Sequence, residues 1–128
     1  MHEFFSSAPR CEQIVQILYG LNELEIQIFC NLMHFGDMDT NELIERHSTL
    51  EKKQDKTILN RALNNLLSKD LIFREKSSSA PTPGYRYVYK ALTLDELKIK
   101  LLGSIDSWYE NAKVEIENIN ERFIELIS

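Results

Sequence analysis

The stretch QDKTILNRALNNLLS, from Gln54 to Ser68, carries the side chains best suited to chemistry on another molecule. Arg61 can grip the edge of a guanine with two hydrogen bonds, and Asn60 and Asn64 can do the same for an adenine. Gln54, Lys56 and Thr57 add donors and acceptors for bases or phosphates. Leu59, Ala62, Leu63, Leu66 and Leu67 recur at spacings of three and four, so a helix here turns its apolar stripe inward and these polar groups outward. No Asp or Glu occurs from Lys56 to Lys69, whereas a face kept merely soluble usually mixes charges of both signs. Ahead of the helix, Lys52 and Lys53 are placed for phosphate. Behind it, Arg74, Lys76 and Arg86 flank a loop from Ser77 to Gly84 whose serines and glycine permit close approach to a nucleic-acid backbone.

The remaining reactive side chains form a weaker pattern. Cys30 and His34 lie four apart, a spacing that can put two metal ligands on one helical face, with Cys11 and His47 as further donors. Against a metal or redox site stand the lack of a second close-spaced ligand pair and the habit of cysteine as a small buried apolar filler. No Gly-rich phosphate loop, nucleophile elbow or HExxH motif occurs, so neither catalysis nor a cofactor nor a metal ion is expected.

A chain of 128 residues suits a single core, and 43% hydrophobic with 27% charged residues is a globular composition. No apolar run approaches the roughly 18 residues needed to span a bilayer, and the start lacks a basic segment before an apolar one. Two cysteines without CxxC spacing fit a reducing compartment, so a cytoplasmic protein with no membrane partner is expected. The net charge of −5 speaks against nucleic acid until its distribution is considered. From Arg46 to Lys90 ten basic residues face four acidic ones, a local balance of +6 that leaves −11 for the rest. One basic face on an otherwise acidic protein is the electrostatic footprint of a nucleic-acid reader.

The elements that must position these groups follow from the periodicity. A first helix over Arg10–Tyr19 ends at Gly20, and a second, apolar nearly all round, is capped by Asn22 with Glu25 and stops at Gly36. Asp39 or Thr40 caps a short third helix to Arg46, and Asp55 caps the helix of the recognition stretch to about Lys69. Leu71–Lys76 and Tyr85–Lys90 read as two strands. Thr93 caps a last helix about 50 Å long, whose apolar positions from Leu97 to Leu126 recur on average every 3.6 residues as one continuous stripe. That exceeds the width of the remaining domain, so Leu101, Ile105, Trp108, Ala112, Ile116, Ile119 and Phe123 are expected to face a second copy.

The segment from Asn22 to Lys90 resembles the winged helix-turn-helix domain of MarR-like and TrmB-like transcription regulators, above all short archaeal forms. The resemblance rests on NELIERHSTLEKKQDKTILNRALNNLLSKDLIFREK and on GYRYVYKAL after the loop. In it, ELIERH corresponds to the first helix of the motif, DKTILNRALNNLLSKDLI to the recognition helix and its exit, and FREK with YRYVYK to the wing strands. The resemblance implies double-stranded operator DNA bound by a homodimer joined through long terminal helices. Two departures stand out: the turn from His47 to Gln54 is longer and more charged than the compact form, and no sugar-binding domain follows the last helix, leaving no evident effector site.

The expectation is therefore a mainly α fold with a small β-hairpin. It comprises a winged-helix DNA-binding domain over 1–92 and a long C-terminal dimerisation helix over 93–128, acting as a sequence-specific transcription regulator. The alternative from another class is a winged helix used for protein–protein interaction, its acidic terminal helices binding a basic partner. A sensor switched by metal or by Cys11 and Cys30 is a third reading.

Overall fold

Two glycines and three reciprocal caps set the helix boundaries in the computed structural model, which describes residues 8–47, 55–77 and 86–128. Helix α1 (Cys11–Tyr19) ends at Gly20, whose φ of 64° lies in the left-handed region that glycine enters without penalty. At the start of α2 (Glu23–Phe35), the Asn22 side chain accepts the Glu25 N–H and the Glu25 carboxylate accepts the Asn22 N–H, both at 2.8 Å. The same exchange between Asp39 and Glu42 opens α3 (Thr40–His47), at 2.8 and 3.0 Å. Helix α4 (Asp55–Ser68) leaves through Asp70, a non-glycine residue at φ 58°.

Strands β2 (Ile72–Ser77) and β3 (Arg86–Ala91) pair antiparallel, from Ile72 opposite Ala91 to Ser77 opposite Arg86. A third strand, β1 (Met38–Asp39), sets Met38 against Tyr89, so the sheet order is β1-β3-β2 rather than a simple hairpin. Two residues cannot display a period-two pattern, which is why periodicity alone left β1 unseen.

The core forms where α2, α3 and α4 meet the sheet: Ile28, Phe29, Leu32, Leu43, Leu63, Leu66, Leu71 and Ile72 are all but sealed from solvent. Helix α2 is not apolar all round in its contacts, however. Cys30 and Phe35 reach solvent, and the free Cys11 is exposed as well, so Cys30 is not the buried filler that its residue type favours.

The C-terminal stripe is interrupted. Thr93 and Glu96 exchange caps at the start of α5 (Leu94–Glu117), which gives way at Asn118 to a separate α6 (Ile119–Ile127). Asn118 sits at φ −106°, ψ 27°, and its side-chain amide donates to the Val114 carbonyl at 2.9 Å, the local competition for helix carbonyls by which asparagine ends helices. The first turns of α5 pack on α1 through buried Leu97 and a 2.7 Å bond between the Tyr19 and Ser104 hydroxyls. No described helix is long and apolar enough to cross a membrane.

Candidate nucleic-acid interface

Helix α4 presents the polar face that its spacing predicts. Leu59, Ala62, Leu63 and Leu66 are buried against the core, while Lys56, Thr57, Asn60, Arg61, Asn64 and Ser68 are all exposed. Among the described residues no carboxylate pairs with Lys56 or Arg61. Gln54, Lys52 and Lys53 lie outside the described residues, as does the loop between the two wing strands.

The helix is held in place by a contact absent from the sequence-based site. Asn65, on the flank of α4, donates its amide to the second oxygen of Glu25 at 3.0 Å. Glu25 is 6% exposed, and its other oxygen caps α2. One buried carboxylate thus ties the middle of the candidate recognition helix to the start of the central helix. Glu25 is recognisable in the sequence as a capping residue, but nothing local marks its second oxygen as the seat of Asn65.

The register divides the basic side chains of the wing strands between the two faces of the sheet, Arg74 and Lys76 on the face of Tyr87 and Tyr89, Arg86 and Lys90 on the other. Arg86 donates to Asp39 at 3.1 Å, and Arg74 sits over the Tyr87 ring, its guanidinium carbon 4.4 Å from the centroid. Lys76 is exposed at the far end of β2. Lys90 is engaged by Glu75 at 3.0 Å and Asp37 at 4.0 Å, and the Glu75 hydrogen bond leads the effects that raise its pKa. Thr40, Asn41, Lys56, Arg86 and Tyr87 together line a recess where α3, α4 and β3 converge. Thr40 and Asn41 are additions to the site; their place beside Lys56 follows from the sheet pairing of β1, which the sequence does not advertise.

The second cluster of reactive side chains does not assemble into a metal centre. His47 meets the Asn31 amide at 3.2 Å, and His34 stands edge-on to Phe35, whose other face carries the Arg46 guanidinium at 4.3 Å. Among the described residues no three His, Cys, Asp or Glu side chains converge on one point. Burial, and after it the Arg46 charge, holds the His47 imidazole below its ordinary pKa. The pKa of the Cys30 thiol, which is only partly covered, is pushed up, first by that partial burial and then by Glu12 and Cys11.

Most apolar side chains beyond the first turns of α5 have no cover among the described residues. Leu101 packs against the core and Ala112 is half-buried, but Ile105, Trp108, Ile116, Ile119 and Phe123 are exposed, with Ile116 at 65% and Trp108 at 63%. Tyr109, Val114, Ile124, Leu126 and Ile127 extend the same exposure.

Comparison with known proteins places this arrangement. The family model described as "Sugar-specific transcriptional regulator TrmB" matches residues 15–95, from within α1 to the start of α5. The uncharacterised protein MJ1082 of Methanocaldococcus jannaschii is 30% identical over 102 residues, covering 80% of this chain and 79% of its own. A solved structure from Methanosarcina mazei Go1, described as a "possible transcriptional regulator", superposes with a TM-score of 0.69 at 16% identity over 84% of this chain and 86% of that one. A regulator ascribed to the MarR family, from Enterococcus faecalis V583, superposes with a TM-score of 0.50 at 13% identity, covering 87% of this chain and 96% of that one. The last two likenesses establish the fold.

Proposed function

We propose, from the premise that the chain belongs to the TrmB family of transcriptional regulators, that it is a homodimeric reader of specific duplex-DNA sites. The observation that carries this reading is the exposed, carboxylate-free face of α4. Arg61, Asn60 and Asn64 are exposed there, with side chains suited to reading base edges in a major groove, and Lys56 and Thr57 sit at the leading end of the helix. Gln54 belongs to the same face by sequence, and Lys52, Lys53, Arg74, Lys76 and Arg86 supply the sequence-independent phosphate contacts. Residues 1–92 act as the DNA-binding unit and 93–128 as the dimerisation unit. The exposed side chains of Ile105, Trp108, Ile116, Ile119 and Phe123 support a second copy as their cover. The family places the chain among regulators rather than enzymes.

Selection from a random duplex library tests this. The expected outcome is an enriched motif with two-fold symmetry, its half-sites about one helical turn apart, as a symmetric dimer requires. A library that yields no motif, with the protein folded and dimeric, would transfer the assignment to a protein-interaction module.

A further inference from the structure

The charge of Arg86 is met by a carboxylate, and that carboxylate belongs to Asp39, which already has a task. One Asp39 oxygen accepts the Glu42 N–H at 2.8 Å and starts α3, and the other accepts from Arg86 at 3.1 Å. Asp39 is well covered, its side chain 15% exposed, whereas Arg86 is 54% exposed and its guanidinium has N–H donors besides the one that Asp39 accepts. The same Arg86 lines the recess with Lys56, Asn41 and Thr40. A backbone phosphate seated there meets the Lys56 ammonium directly, but it must compete with Asp39 for the guanidinium.

We propose that Asp39 is an electrostatic brake on DNA binding, holding Arg86 in a pair that a backbone phosphate at the recess of α3, α4 and β3 has to displace. The inference rests on the DNA-binding reading above and adds a negative regulator within the interface. Since phosphate contacts carry no base information, the brake lowers affinity for every sequence by the same factor and leaves the preference between sequences intact. It shortens residence on all sites alike without touching the readout face.

Asparagine at position 39 separates the two tasks of Asp39. An asparagine side chain caps helices as well as aspartate does, as Asn22 does at α2 in this chain, but it offers Arg86 no charge. Asp39→Asn should therefore bind an operator and a scrambled duplex several-fold more tightly, by the same factor, with a salt slope steeper by about 0.9, the value of one more neutralised phosphate. Asp39→Ser, which keeps a capping oxygen too short to reach Arg86, should do likewise. Asp37→Asn removes the same charge from the neighbouring Lys90 cluster and serves as the control for a general change in field. In an Arg86→Ala background, Asp39→Asn should have no further effect. The inference is overturned if the Asp39 and Asp37 variants gain equally, if the gain survives without Arg86, or if the slope is unchanged. Wild-type protein that binds neither duplex would instead sink the DNA-binding reading itself.

Discussion

At the scale of single residues the interface separates by what each side chain can distinguish. Arg61 projects from the middle of α4 with no acidic partner among the described residues, so Arg61→Ala should weaken binding to the cognate site by about 1–3 kcal/mol and relax base choice at one position. Lys56→Ala should weaken all duplexes alike and reduce the salt slope by about 1. Anisotropy titrations of both variants on matched and mismatched duplexes decide this, and indistinguishable profiles would show that the readout face is misplaced. His47 gives a prediction about pH. Its folded-state pKa lies below the ordinary histidine value of about 6.5, because burial and Arg46 both oppose its protonation. Above that value the imidazole is neutral in folded and unfolded chains alike. As pH falls through it, the unfolded chain takes up a proton that the folded one resists, so stability is lost toward acid. The melting temperature should fall between pH 7.5 and 5.5, and His47→Gln, whose amide can keep the contact with Asn31, should flatten that fall. An unchanged pH dependence in the variant would assign the loss to other groups.

At the scale of elements, what could be foreseen followed periodicity and capping. The Asn22, Asp39 and Thr93 caps, the stops at Gly20 and Gly36 and the inward stripe of α4 are all written in local spacing, and so is the outward face that the stripe implies. What could not be foreseen depends on partners far along the chain. Strand β1 exists only because β3 pairs with it, and Asn65 is fixed only because Glu25 has an oxygen to spare. Arg86 is restrained only because β1 carries Asp39 to it. The break at Asn118 is a near miss: the apolar stripe does continue across it, and the stripe outweighed the one residue whose side chain competes for a backbone carbonyl. Asn118→Ala removes that competition and should make α5 and α6 more continuous, seen as greater helical ellipticity with no loss of melting temperature. At the exit of α4, Asp70 adopts φ 58°, where an L side chain costs roughly 1–2 kcal/mol, partly offset by the greater unfolded-state freedom of glycine. Asp70→Gly should leave stability unchanged or raise it by up to about 1 kcal/mol in urea denaturation, and a clear loss would mean that the aspartate side chain has a supporting role.

At the scale of the whole molecule, charge and apolar surface are segregated. The positive balance lies on α4 and the wing, while the exposed apolar side chains concentrate on α5 and α6, whose 24 residues in α5 alone reach about 36 Å. A dimer joined by the C-terminal helices would carry two copies of α4, the number that a two-fold symmetric DNA site demands. Ile116→Glu combined with Phe123→Glu should yield a folded monomer by light scattering, with operator affinity reduced at least tenfold through loss of the second half-site. A variant that remains dimeric would move the interface elsewhere. The central claim is that the basic face reads duplex sequence, and it is tested most directly by fluorescence anisotropy of the unmodified protein on its own upstream DNA and on a scrambled duplex of equal length, across a salt series. A sequence reader should bind the upstream fragment more tightly, with both affinities falling steeply as salt rises. Binding to neither duplex at low salt would contradict it.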